Sequence, residues 1–265
     1  MDGAEDPPPR GALAGIGSYA LYYGRGYLDS LAAFDLAVLE PRAWIPEDIH
    51  LLRERGTRVL AYMSTLEVGV DEFNPSGGYE LLHVEGQPLL NHVYNNLLLV
   101  PSRHRSETLA AQAQRLIRDY DGVFLDTLGA VEDERIPPDR RLELAIGAGH
   151  LVRQLRSACP GAVIVQNMGI WGVHRFTRNY VDGLCWESFP ASLSSAPAWL
   201  DAKAGELAAW SAGTARRILL LVQDGPLADD EWLSSWASSR GWPVYLAPGD
   251  YTTGIGRSLP ARGQQ

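Results

Sequence analysis

Tyr120-Asp121-Gly122-Val123-Phe124-Leu125-Asp126-Thr127-Leu128 is the stretch on which the reading turns. A short apolar run, opened by glycine and closed by an acid, describes a strand buried on both faces. Such strands belong to parallel sheets, where helices cover each side. The acid at the end matters as much as the run. A carboxylate at the C-terminal end of a parallel strand sits where barrel enzymes build their sites.

Working outward, similar runs recur along the chain. They are Ala14–Ala20, Leu36–Leu39, Arg58–Met63, Gly122–Leu125, Ala162–Val165, Gly183–Trp186, Ile218–Val222 and Val244–Ala247. Helical stretches fall between them, at Pro46–Arg55, Glu107–Tyr120, Pro138–Ala158, Ala198–Ala212 and Asp229–Ser239. In the second of these, Leu109, Ala113, Leu116 and Ile117 share one helical face. Eight strands alternating with helices predict an α/β chain folded as a single (β/α)8 TIM-type barrel, in preference to an open doubly wound sheet. The length of 265 residues agrees, being near the ~250 typical of that fold. The domain is expected over 13–256, with loose ends at 1–12 and 257–265. The segment from Val68 to Ser106 is expected as a long connection lying over the C-terminal face.

The bulk numbers exclude several classes. An apolar content of 46% with 21% charged residues fits a globular domain. The net charge of -9 disfavours nucleic acid as a partner, and no apolar run is long enough to span a membrane. The acidity would suit a cationic ligand, although many soluble proteins share it. Cys159 and Cys185 stand in no metal or redox spacing and are expected as buried thiols. Met1 to Arg10 lacks a signal-peptide pattern, so a cytoplasmic location is expected, or an extracellular or periplasmic one if a leader has been removed.

The strand ends carry the chemistry. Strand two ends at Glu40, strand three runs into Ser64 and Glu67, and strand four ends at Asp126. Strand five ends at Gln166 and Asn167, strand six at Glu187, and strand seven at Gln223 and Asp224. So many acids and amides at one mouth are costly to bury without a ligand or each other. Strands four and six can set Asp126 and Glu187 around one bond. Glycosidic cleavage needs such a pair, one acid to protonate the leaving oxygen and one carboxylate to attack or to activate water. Aromatic residues at or beside the strand ends (Tyr19, Tyr22, Tyr23, Trp44, Tyr62, Trp171 and Trp186) could stack on sugar rings, and core packing competes for each. The expected catalytic residues are Asp126 and Glu187. The expected substrate contacts are Tyr19, Tyr22, Glu40, Tyr62, Ser64, Glu67, Asn167, Trp186 and Asp224.

Other motifs are too short to support a reading. Gly15-Ile16-Gly17 lacks the remainder of a dinucleotide turn, and Gly254-Ile255-Gly256 has no helix after it. The six histidines show no zinc spacing, and there is no GxSxG elbow. Lys203 is the only lysine and falls in a predicted helix, which argues against a Schiff base. No metal and no cofactor is expected, and the expected partner is an oligo- or polysaccharide.

The Tyr120–Leu128 stretch resembles the "FDGVFLDTLD" strand of the endo-α-1,4-polygalactosaminidase families of glycoside hydrolases. These include fungal and bacterial galactosaminogalactan hydrolases and the hydrolase domain of the Pel exopolysaccharide protein. Arg58–Ser64 followed by Glu67 is similar to their third strand, "VLGYLSLGE". Val163–Asn167 is similar to the fifth, which ends in an Asn. Tyr180–Ser188 is similar to the sixth, "VDGVVAES", which carries the family Glu. The resemblance implies a (β/α)8 barrel that hydrolyses α-1,4-linked galactosamine or N-acetylgalactosamine polymers. It also implies a retaining mechanism, with Asp126 as nucleophile and Glu187 as general acid/base. Two departures are visible. Gln166 stands where a lysine is frequent, and Ser64-Thr65-Leu66-Glu67 lacks the usual glycine before Glu. The alternative is a carbohydrate-binding barrel that has lost turnover.

Overall fold

Short β-branched and leucine-rich runs give strands that bury both faces, and the computed structural model forms seven of the eight where the sequence predicts, the first starting later. It describes residues 13–259. The expected loose end at 1–12 lies outside the described residues, as does 260–265. The strands are β1 (Tyr19–Tyr22), β2 (Leu36–Leu39), β3 (Arg58–Ser64), β4 (Gly122–Asp126), β5 (Val163–Asn167), β6 (Gly183–Trp186), β7 (Arg217–Gln223) and β8 (Val244–Ala247). They are parallel and hydrogen-bonded in sequence order. β1 packs against β8, with the Tyr19 and Tyr245 rings 5.6 Å apart, so the sheet is a nearly closed barrel.

Helices cover the outside: α1 (Leu28–Leu31), α2 (Pro46–Glu54), α3 (Arg103–Leu116), α4 (Pro138–Ala158), α5 (His174–Thr177), α6 (Leu200–Ser211) and α7 (Asp230–Ser238). None of the described helices is long and apolar enough to cross a membrane.

Three expectations change. The first strand starts at Tyr19, later than Ala14, because Gly15 takes a left-handed turn and the Asp35 carboxylate captures the Gly17 and Ser18 amides. The C-terminal end is not loose at its start. Arg257–Leu259 forms β9, antiparallel to β8. Leu259 joins the core, Arg257 pairs with Asp224 and Asp230, and Gly256 makes room, since a Cβ there would lie 2.0 Å from the Leu246 carbonyl oxygen. The long connection after β3 is folded: Glu67–Gly69, Asn96–Leu98 and Leu90–Asn91 form a three-stranded antiparallel sheet. Buried Arg105 ties it down by donating to the Ser64 and Thr65 carbonyls at 2.7 and 2.6 Å.

The opposite end of the barrel is held by a repeated aspartate. Asp35, Asp121 and Asp182 each stand one residue before an even-numbered strand. Each carboxylate accepts from a backbone N–H within one residue of the start of the strand before it: Ser18 at 2.8 Å, Val59 at 2.9 Å and Ile164 at 2.8 Å. Charge-assisted bonds to backbone donors are stronger than neutral ones, so each fixes the stagger of two strands. Asp182 is also paired with Arg156 at 2.6 Å in a buried setting. Removing one partner of a buried pair typically costs roughly 3–5 kcal/mol. Asp182→Ala is therefore expected to lower the urea-unfolding free energy by about that amount. A loss below about 1 kcal/mol would contradict this role.

Candidate active site

The site lies at the C-terminal end of the barrel, on consecutive strands. Asp126 ends β4, Asn167 ends β5, and Glu187 follows the last residue of β6. At each the chain turns through a left-handed residue: Thr127 at φ 65°, Met168 at φ 53° and Ser188 at φ 54°. For a non-glycine residue this costs roughly 1–2 kcal/mol. Neighbouring bonds offset it. The Thr127 hydroxyl accepts from the Thr65 and Leu66 amides at 3.0 and 2.9 Å. The Met168 carbonyl accepts from the buried Gln166 side chain at 2.7 Å.

These turns converge the side chains. The Asn167 amide nitrogen donates to Asp126 Oδ1 at 2.8 Å and to Glu187 Oε2 at 2.6 Å. The two oxygens it joins thus lie no farther apart than two hydrogen bonds laid end to end. Each remaining carboxylate oxygen takes a phenol: Tyr62 donates to Asp126 Oδ2 at 2.8 Å, and Tyr251 donates to Glu187 Oε1 at 2.9 Å. Tyr23 lies between those phenols, its ring 4.6 Å from Tyr62 and 5.6 Å from Tyr251. Its backbone N–H also donates to the Tyr251 carbonyl at 2.8 Å.

The two acids are partly buried, and burial raises the Glu187 carboxyl above its ordinary range. The Asn167 hydrogen bond opposes this, the nearby Asp126 charge adds to it, and the Tyr251 hydrogen bond opposes it. Burial, then the Asp126 charge, raises the Tyr62 phenol, so it remains a donor. Glu67 is 7% exposed and is likewise raised by burial. Asn96 donates to it at 3.0 Å and Asn91 at 3.2 Å. Glu67 lines two depressions beside the pair. One, about 630 Å³, runs along Met168 and Trp171, and the other, about 820 Å³, includes Tyr62, Glu40 and Ser64.

Four expected contacts lie elsewhere. Tyr19 is fully buried, its hydroxyl 3.9 Å from the free thiol of Cys185, because its strand turns it into the barrel interior. Tyr22 is buried and donates to the Arg25 carbonyl. Trp186 alternates to the helix side of the sheet and packs on Phe189 and Trp199. Asp224 is held by Arg257 in an ion pair with β9. Conversely, Tyr251, Asn91 and Asn96 were absent from the expected set. Tyr251 follows the last barrel strand, and that position alone places it over the mouth.

No family model matches the sequence, and no curated protein matches it. Among solved structures, the chain is similar to the glycoside hydrolase domain of PelA from Pseudomonas aeruginosa. The TM-score is 0.74 at 23% identity, over 92% of this chain and 98% of that one. The fold is that of glycoside hydrolase barrels. It agrees with the families whose strand motifs the sequence resembles, which include the hydrolase domain of the Pel exopolysaccharide protein. Aspergillus fumigatus Ega3 in complex with galactosamine gives a TM-score of 0.63 at 11% identity, over 96% and 98% of the two chains. The α-galactosidase TtGalA of Thermus thermophilus gives 0.58 at 16%, over 93% and 59%. At these identities the likeness is one of fold.

The raised Glu187 carboxyl has a consequence for stability. A carboxyl raised by folding stabilises the fold below its unfolded pKa, and this contribution is lost as pH rises through the folded value. Above the folded value the ionised group weighs against folding. Glu187→Gln should therefore melt higher than the native chain at pH 7, with the gap closing toward pH 4. Equal melting temperatures across that range would contradict this.

Proposed function

We propose that the chain is a retaining glycoside hydrolase acting on α-1,4-linked polymers of galactosamine and N-acetylgalactosamine. Asp126 is its nucleophile and Glu187 its general acid/base. The observation that carries this reading is the single amide of Asn167 shared by both carboxylates. It sets the nearest oxygens well short of the roughly 6.5–9.5 Å that inverting enzymes leave for a water, and within reach of the ~5–5.5 Å of retaining ones.

The roles follow from the surroundings. Asp126 attacks the anomeric carbon and forms a glycosyl ester, while Glu187 gives its proton to the leaving oxygen. Glu187 then takes a proton from water, which attacks the ester and releases the sugar with net retention. Burial keeps the Glu187 proton available at higher pH, as an acid requires. Tyr62 and Asn167 donate to Asp126, which holds its carboxyl group aimed in one direction. The ring-lined mouth offers apolar faces for sugar C–H surfaces. The amino sugar is supported by the carboxylate-rich depressions around Glu67, and by the galactosamine bound to the Ega3 neighbour.

The test is release of reducing ends from de-N-acetylated and N-acetylated α-1,4-galactosamine polymers, with chitosan as control. The native chain should cleave one or both galactosamine polymers and leave chitosan intact. Asp126→Asn and Glu187→Gln should each lose about 10³-fold in turnover while keeping the native circular dichroism spectrum. Undiminished turnover in either variant would overturn the assignment.

A further inference from the structure

Depressions of different chemistry adjoin the two acids: one is lined by Tyr62, which donates to Asp126, and another by Ser188, next to Glu187 in the chain. On the side of β3 and β4, the two cavities that share Glu67 are rich in carboxylates. One adds Glu132, Asp133 and Glu134 against a single Arg135, and the other adds Glu40, Asp71 and Glu72 against Arg42 and Arg105. The cations there are engaged: Arg135 pairs with Asp133 at 2.6 Å, Arg42 with Glu72 at 2.8 Å, and Arg105 faces backbone carbonyls. The carboxylates outnumber the cations in both linings, which leaves that side with a net negative charge.

On the side of β6 the chemistry changes. Ser188, the residue after Glu187, opens a third depression of about 520 Å³. Among the described residues, no ionisable side chain lines it. Its walls are serines, prolines and alanine, with Trp199 and Leu227. Trp199 is 43% exposed yet held in place, stacked on Trp186 at 6.1 Å and edge-on to Trp171 at 4.7 Å. Leu227 is 81% exposed. The Ser192, Ser194 and Ser195 hydroxyls cluster at 2.9 and 3.3 Å. A fixed indole, an exposed leucine and neutral hydroxyls suit a group with a methyl and an amide. They would desolvate an ammonium without a counter-charge.

We propose that the cleft sorts the units of a partly de-N-acetylated amino-sugar chain by charge. Units with a free amine lie on the carboxylate side, and N-acetylated units lie on the shelf between Trp199 and Leu227. This rests on the glycosidase reading above and adds a cutting register to it. The preferred bond is then the junction between an N-acetylated unit and a free-amine unit.

The experiment digests three α-1,4-galactosamine polymers, fully N-acetylated, fully de-N-acetylated and mixed. The terminal units of the products are sequenced by mass spectrometry after reducing-end labelling. The mixed polymer should be cut fastest, with N-acetylated units enriched at one new terminus and free amines at the other. Leu227→Glu, at a position exposed enough to leave the fold intact, should reduce the N-acetyl enrichment at the shelf terminus. The expected change is about fivefold, the upper end for one exposed ion pair. Random termini from the mixed polymer, or an unchanged bias in Leu227→Glu, would overturn the sorting and leave the glycosidase reading standing. Cleavage of none of the three would overturn both.

Discussion

Two carboxylates as close as Asp126 and Glu187 repel one another, and each loses hydration in a half-buried cleft. What holds them there is one amide with two N–H groups, each given to a different acid. An amide supplies donors without adding charge, so it joins the two acids without a cation that would drive both to ionise. A lysine in its place would favour ionisation of both. The two phenols complete the arrangement from outside, so every carboxylate oxygen of the pair has a donor. Burial then raises the Glu187 carboxyl, which favours its protonated form.

The barrel divides labour between its ends. At one end, aspartates before β2, β4 and β6 fix strand stagger through backbone donors. At the other, the residues after β4, β5 and β6 adopt left-handed conformations that aim the functional side chains inward. Strain of that kind persists only where the surroundings over-determine it. Thr127 shows how: its hydroxyl binds two amides of the β3 turn, so the same side chain that strains the turn also locks it to the neighbouring strand.

Much of this was legible in the sequence. Buried parallel strands announce themselves as apolar runs, and the acids and amide at their ends mark Asp126, Asn167 and Glu187. What the pattern could not supply was which face a residue takes at the strand's edge. Tyr19, Tyr22 and Trp186 are aromatic and near strand ends, yet alternation and packing turn them into core. Asp224 looked like a sixth polar strand end, but its partner Arg257 belongs to a strand hidden in an apparent tail. Tyr251 went unnoticed because its role depends on the loop after β8 folding back over β1, a contact between chain ends. Asn91 and Asn96 reach Glu67 only because the insertion is a small sheet, whose alternation is too brief to read.

The stereochemistry of the first product reports most directly on the paired acids. Proton NMR of an α-linked galactosamine oligosaccharide, followed from the first turnovers before mutarotation, reads the configuration of the released anomeric centre. An amide-bridged pair with Asp126 as nucleophile predicts that the α-anomer appears first. A β-anomer as the initial product would mean that water attacks directly, and that the closeness of the two acids does not serve the chemistry described.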